Sequence, residues 1–316
     1  MSARRRRGSD PAGLLLLDKP LGLSSFQAAR TAARHLGIQR VGHAGTLDPA
    51  ASGLLPLFFG PATRLVEYLS SGTKEYVATI RLGVETDTLD AEGRIVAEAP
   101  VDPALDRATV EARCQRFVGR IEQVVPAYSA VKVGGRRLYE MARNGESPDE
   151  LPRRLVDIDR IDLLSFDSPS MQIRVICGKG TYIRVLAADI GRALGTRASL
   201  TGLVRRAVGP LRLEDAVGLD EIEGSEQPRL WLRSPLLALA GLPRIDLPES
   251  LYRRVSQGQT LEADLGKDLW GDLPERRPIV ALAADGGELA IVEVTRGRLR
   301  PKKVVSLPSW TKPVIF

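Results

Sequence analysis

Apolar and polar residues follow one another along this chain in short runs of differing period. Leu14 to Leu17 predict a buried strand over residues 13–18, closed by Lys19-Pro20 and a turn at Gly22. Ser24 or Ser25 can cap a helix that runs to Leu36 and stops at Gly37. Residues 42–49 are too rich in Gly and Pro for a regular element and predict a structured loop. An apolar strand over 54–59 follows, and Gly60-Pro61 opens a short helix to Leu69. From Tyr76 every second residue is apolar (Tyr76, Ala78, Ile80, Leu82), which predicts a strand over 74–82 with one buried face. Amphipathic spacing predicts helices over 106–117 and 181–194, and a further helix ends at Asn144-Gly145. Strand-like runs cover 155–166 and 171–177, and a short apolar helix covers 235–239. Strands alternate irregularly with helices and hairpins, so the fold class is α+β rather than a βαβ repeat. From Arg244 the runs shorten, as at 279–283 and 289–295, and Gly and Pro turns separate them. That change predicts a small β-rich C-terminal domain over 244–316, behind a main body over 13–243 and a basic, flexible tail over 1–12.

Composition narrows the class. The 316 residues are enough for two domains at about 150 each. With 43% apolar and 27% charged residues, the chain is an ordinary globular one and not a disordered one. No apolar run approaches the roughly 20 residues that span a bilayer, so no membrane partner is expected. No apolar stretch follows Arg4 to Arg7, which argues against a secretory leader. Two cysteines, Cys114 and Cys177, cannot build a disulfide framework, and the expected compartment is the cytoplasm. With only His35 and His43 beside them, no metal site is expected.

The net charge of +6 points toward nucleic acid, but four of those charges lie in Arg4 to Arg7. Residues 8–243 hold 29 basic and 29 acidic side chains. Residues 170–212 carry eight basic residues against Asp189 alone, whereas 85–111 carry eight acids against Arg94 and Arg107. One sign per segment predicts a polarised surface with a basic face suited to a polyanion. In the C-terminal region Arg296, Arg298, Arg300, Lys302 and Lys303 form a second basic run. At period two its three arginines would share one strand face, as an RNA contact or as an edge defended against aggregation.

Two look-alikes are set aside. Gly178-Lys179-Gly180-Thr181 has neither the upstream glycine nor the Ser/Thr directly after lysine that a phosphate loop needs. No G-x-G-x-x-G follows a strand, so no dinucleotide is expected, and no other cofactor either.

Asp48 lies in the Gly-rich loop between Leu47 and Pro49, where aspartate commonly forms a turn. Its surroundings point further. The run from Val41-Gly42-His43-Ala44-Gly45-Thr46-Leu47-Asp48-Pro49 to Ser52-Gly53-Leu54-Leu55 resembles the active-site motif of the TruB family of tRNA pseudouridine synthases. Further matches are Leu15-Leu16-Leu17-Asp18-Lys19-Pro20, Lys74-Glu75-Tyr76, and Leu82-Gly83 with Thr86-Asp87 and Asp90. Others are Pro126-Ala127-Tyr128-Ser129-Ala130-Val131-Lys132 and Lys179-Gly180-Thr181-Tyr182-Ile183-Arg184, with Leu203 and Arg205 beyond. The resemblance spans about residues 13–210.

That resemblance implies the pseudouridine synthase fold, a mixed and largely antiparallel sheet with flanking helices and a central cleft, and a PUA-like C-terminal module for RNA. It implies isomerisation of uridine 55 in the T loop of tRNA on a flipped-out base. Asp48 would be the nucleophile, Tyr76 would stack on the base, and Arg184 would pair with Asp48. His43, Tyr182, Leu203, Lys19 and Lys132 would contact substrate. A tyrosine on an alternating strand or an arginine on a helix also fits ordinary packing and solvation. The reaction needs no redox or nucleotide cofactor, because nothing is oxidised or added. No guide RNA is expected, and a monomer is. The competing reading is an RNA-folding chaperone with secondary or lost catalysis.

Overall fold

The computed structural model describes residues 10–146, 148, 150–265, 267–283 and 288–306. They divide into two compact units, Met1–Asp48, Leu54–Ser70 and Gly209–Phe316 in one and Pro49–Gly53 and Ser71–Val208 in the other. The strand Ala51–Phe59 thus gives its first three residues to the second unit and the rest to the first.

In the first unit the strand Gly13–Lys19 forms where expected, with Leu14, Leu15 and Leu17 fully buried. It pairs in parallel with Val217–Gly218 and lies beside Ala51–Phe59. Ser24 caps the helix Ser25–Leu36 through a capping box with Gln27, and Gly37 ends it at φ 64. Of the expected tail, residues 1–9 lie outside the described residues. Its end is tied down, since the Asp10 carboxylate accepts the Gln39 and Arg40 backbone N–H groups at 3.2 and 3.0 Å and Ala12 is buried.

The C-terminal residues of this unit build their own four-stranded sheet in the order Arg244–Leu247, Ile279–Ala283, Glu288–Thr295, Arg298–Ser306. The first pair is parallel and the others antiparallel. Val255, Leu261, Trp270 and Leu299 close its core, and the Trp270 indole donates to the Gly297 carbonyl at 2.9 Å. The helix Glu249–Ser256, not anticipated from sequence, covers this core with Tyr252 and Val255.

The second unit is an antiparallel sheet in the order Ala198–Val208, Lys74–Leu82, Ser170–Cys177, Arg153–Asp167, Gly119–Val124. Residues 51–53 add a parallel partner to Ala198–Val208. In Lys74–Leu82 the buried positions are Lys74, Tyr76, Ala78, Ile80 and Leu82, the alternation the sequence predicts. The helix Ile183–Ala193 buries Ile183, Leu186, Ala187 and Ile190. The helix Arg107–Gln115 is fixed to the neighbouring strand by Gln115 Nε2 donating to Ile161 O at 2.7 Å. Cys114 and Cys177 are free and fully buried. Among the described residues no helix is long and apolar enough to cross a membrane, and no cluster of three metal-ligating side chains occurs.

Within the expected basic face over 170–212, Arg174, Arg184, Arg192 and Arg197 are in ion pairs. Arg192 meets Glu85 at 2.7 Å and Asp189 at 2.8 Å, and Arg197 meets Glu85 at 3.6 Å. Arg174 reaches Asp162 at 2.9 Å and Arg184 reaches Asp90 at 3.6 Å. Three of these contacts join the base-rich segment to Glu85 or Asp90 of the acid-rich one, so pairing offsets part of the segment charge. The three C-terminal arginines also do not share a strand face. Arg296 stands in the hairpin turn at φ 54, and Arg298 is paired with Glu262 at 2.8 Å.

Candidate active site

The loop that carries Asp48 is built by backbone hydrogen bonds. Strand Val41–His43 pairs antiparallel with the end of Ala51–Phe59, setting His43 opposite Leu57. Ala44 N–H then donates to Pro56 O at 3.1 Å, and Gly45 turns the chain at φ 91. The buried Ser25 hydroxyl donates to Leu47 O at 2.9 Å and accepts from Leu47 N–H at 2.8 Å. Leu47 itself is buried, whereas Asp48, the next residue, is exposed. An apolar anchor and a hydroxyl thus fix the backbone immediately before a carboxylate that faces solvent.

Lys19 has a different place from the one expected of a substrate contact. It is fully buried, and its ammonium donates to Pro20 O and Leu23 O, both at 2.7 Å. It braces the turn that delivers the chain to the Ser24 cap. Lys132 is exposed on the small hairpin of Lys132–Val133 with Arg136–Arg137.

The second unit gathers the remaining residues. Tyr182 stands immediately before the helix Ile183–Ala193, and its backbone is bracketed by Gln123, whose amide accepts from Tyr182 N–H at 3.0 Å and donates to Tyr182 O at 3.3 Å. The Arg184 guanidinium lies 5.9 Å from the centre of the Tyr182 ring. It donates to Tyr128 O at 2.6 Å and faces the Asp90 carboxylate at 3.6 Å. Asp90 is itself held, accepting from Thr88 Oγ1 at 2.6 Å and from Glu92 N–H at 3.1 Å. Arg184 is thus a buried helix cation with planar, multi-point partners, and the alternative of a solvated surface arginine is excluded.

Tyr76 and Leu203 lie on adjacent strands, with Leu203 opposite both Ala78 and Ala51. Tyr76 is directly opposite Arg205 on the neighbouring antiparallel strand. Burial pulls the Arg205 guanidinium below the usual arginine value, with Tyr76 opposing that change. Lys74, at the start of the same strand, is lowered by burial first and by Arg205 second. Of these supporting groups, Asp90 and Arg205 stand within the matched sequence motifs without a role attached. Gln123 carries no local signal, because only the pairing of Gly119–Val124 with Arg153–Asp167 brings its strand into place.

The TruB family pseudouridylate synthase N-terminal domain matches residues 33–183. The chain is 46% identical over 304 residues to a tRNA pseudouridine synthase B of Cupriavidus pinatubonensis, covering 93% of this chain and 94% of that one. It is 43% identical over 297 residues to the protein of the same name in Aromatoleum aromaticum, covering 93% and 92%. The chain belongs to the TruB family. Its fold is that of the pseudouridine synthases. The crystal structure of a Cbf5–Nop10–Gar1 complex superimposes with a TM-score of 0.70 at 22% identity, over 96% of this chain and 87% of that one. An H/ACA ribonucleoprotein bound to a substrate RNA gives 0.71 at 22%, over 96% and 88%. At that identity the likeness concerns fold alone.

Proposed function

We propose that this protein is a tRNA pseudouridine synthase that isomerises uridine 55 in the T loop, with Asp48 as the nucleophile on a flipped-out base. The observation that carries the reading is near full-length likeness to tRNA pseudouridine synthases B, at 43–46% identity, with Asp48, Tyr76, Tyr182 and Arg184 all present. In the reaction the N1–C1′ bond of uridine breaks, the base turns, and a C5–C1′ bond forms while C5 loses a proton and N1 gains one. No oxidant or added group enters, so the chain's own side chains suffice. A carboxylate is a competent covalent nucleophile, and Asp48 is an exposed one on a braced loop. Tyr76 offers an aromatic face to the extracted uracil, Leu203 an apolar wall, and Tyr182 and Arg184 the polar side of the pocket. His43 and Lys132 contact RNA in this reading, whereas Lys19 acts by holding its turn.

Extracting the base costs a few kcal/mol of unstacking, offset by phosphate contacts. The C-terminal sheet supplies part of them, with residues 13–243 as the catalytic domain and 244–316 as the RNA-binding module. We further infer that the protein works as a monomer in the cytoplasm without guide RNA. The test is to incubate the purified protein with an unmodified tRNA transcript and map pseudouridine. Product at position 55 without cofactor or guide RNA is expected. A chain that binds the transcript but leaves every uridine unchanged is an RNA chaperone instead.

A further inference from the structure

Tyr76 and Arg205 face each other on neighbouring antiparallel strands, and Ala78 and Leu203 do so one step along the same face. Arg205 is 1% exposed. A guanidinium buried to that degree is costly unless its donors are satisfied, and the residue directly opposite it is the hydroxyl-bearing Tyr76. The backbone behind it has no slack. A Cβ on Gly53 would lie 2.5 Å from the Arg205 carbonyl oxygen and 2.8 Å from its nitrogen, and Gly53 stands at φ +98. Only glycine admits such an approach, so residues 51–53 press against Arg205 while the Tyr76 strand pairs with its other edge. Lys74, two residues before Tyr76 on the same face, is also buried. Tyr76 therefore stands among buried cations on a rigid part of the sheet, and Arg205 is too deeply placed to serve as a phosphate contact.

We propose that Arg205 is a positioning residue for Tyr76, holding the phenolic oxygen so that the ring meets the uracil in one orientation. The inference rests on the assignment of Tyr76 to the flipped base given above. A donor fixed on the phenolic oxygen also directs that hydroxyl's own proton away from the guanidinium. The task suits arginine, whose planar fork can serve Tyr76 with one arm and other acceptors with the rest.

A double-mutant cycle with Arg205→Met and Tyr76→Phe tests it, read as the single-turnover rate of pseudouridine formation in a tRNA transcript. Arg205→Met should slow the parent chain about 10- to 100-fold but the Tyr76→Phe chain less than about threefold, because the hydroxyl it held is then absent. A second readout needs no turnover. In protein labelled with 13Cζ-tyrosine, the Tyr76 resonance, assigned by its loss in Tyr76→Phe, should move in Arg205→Met. Arg205→Lys, which keeps the charge if the methionine variant does not fold, should move the same resonance and slow the parent chain. Equal losses in both backgrounds, or a Tyr76 resonance that stays in place, overturn the proposal. If the unsubstituted protein makes no pseudouridine, the functional reading fails, and the resonance alone decides whether Arg205 holds Tyr76.

Discussion

The Ser25 hydroxyl binds both polar groups of the Leu47 backbone, its N–H and its C=O, one residue before Asp48. It is the first residue of the helix Ser25–Leu36, so the helix and the Asp48 loop share one buried hydroxyl. Ser25→Ala leaves a buried donor and acceptor without that partner, which costs about 1–3 kcal/mol. Turnover should fall about tenfold as the loop before Asp48 loosens, and the melting temperature should drop. Single-turnover assays and a thermal melt on the variant check both. Unchanged turnover with a lowered melt would confine Ser25 to stability.

Asp48→Asn should abolish isomerisation while tRNA binding survives. In the proposed reaction the change removes the nucleophile, yet it alters only one small, exposed side chain. Single-turnover assays beside filter binding decide. Residual turnover within about tenfold of the parent chain removes Asp48 from the essential role.

Arg184→Lys should impair chemistry although it keeps the charge. The guanidinium spans the Tyr128 carbonyl and the Asp90 carboxylate, and it lies beside the Tyr182 ring. A point-like ammonium cannot reproduce that span. A loss of about 10- to 100-fold in the single-turnover rate is expected, with tRNA affinity changed little. Wild-type turnover at saturating tRNA would leave Arg184 a purely electrostatic role.

The parts of the fold that were legible from sequence are those with local causes. Strand 74–82 announced itself by alternation, and helix 25–36 by its serine cap and Gly37. Strand Ala198–Val208 did not, although it carries Leu203 and Arg205. Its arginine pair and Thr201-Gly202 break the apolar pattern, and only the neighbouring strands make Arg205 a buried residue. The same holds for Lys19, whose charge suggests phosphate while its burial beneath the turn 20–23 gives it a bracing task. The motif resemblance points to Asp48, Tyr76 and Arg184. It could not reveal Ser25 or Gln123, whose work is to hold another residue's backbone.

The two thiols should be inert in the folded protein. Burial pushes the Cys114 and Cys177 thiols up from their ordinary value to about 11. Neither should react with a thiol reagent at pH 8 until the chain unfolds, when both should. Because the folded values are raised, the associated stability is present in full below about pH 9 and declines as pH rises toward about 11. Denaturant midpoints at pH 8 and 10.5 test this, and an equal midpoint at both would contradict it.

Removing the C-terminal module should weaken tRNA binding more than it slows the chemical step, and it should also destabilise what remains. Every candidate for chemistry precedes residue 210, whereas residues 244–316 carry 12 basic and 10 acidic side chains. Within that module Arg298 and Lys302 are paired with Glu262 and Glu293. Among the described residues Arg296 and Arg300 form no ion pair, and both are exposed. Arg276 and Arg277 are likewise exposed and form no ion pair among the described residues, so a chain ending at Leu242 should lose up to four phosphate contacts. Its salt dependence should flatten by about 0.7 to 0.9 in log–log slope for each. The half-saturating tRNA concentration should rise while turnover at saturation falls little, the pattern of lost uniform binding. The destabilisation has a separate source. Lys303 donates to Arg64 O at 2.8 Å, pairs with Glu67, and lies 5.4 Å from the centre of the Tyr68 ring. Arg64 in turn donates to Val304 O at 2.9 Å. An exposed ion pair of this kind contributes at most about 1 kcal/mol and the cation–π contact about as much. Lys303→Ala in the full chain should therefore lower the melting temperature by a few degrees and leave the salt slope for tRNA unchanged. A slope that flattens as far with Lys303→Ala as with the truncation would make Lys303 a direct RNA contact, and a folded truncation with unaltered affinity would remove the module from RNA binding.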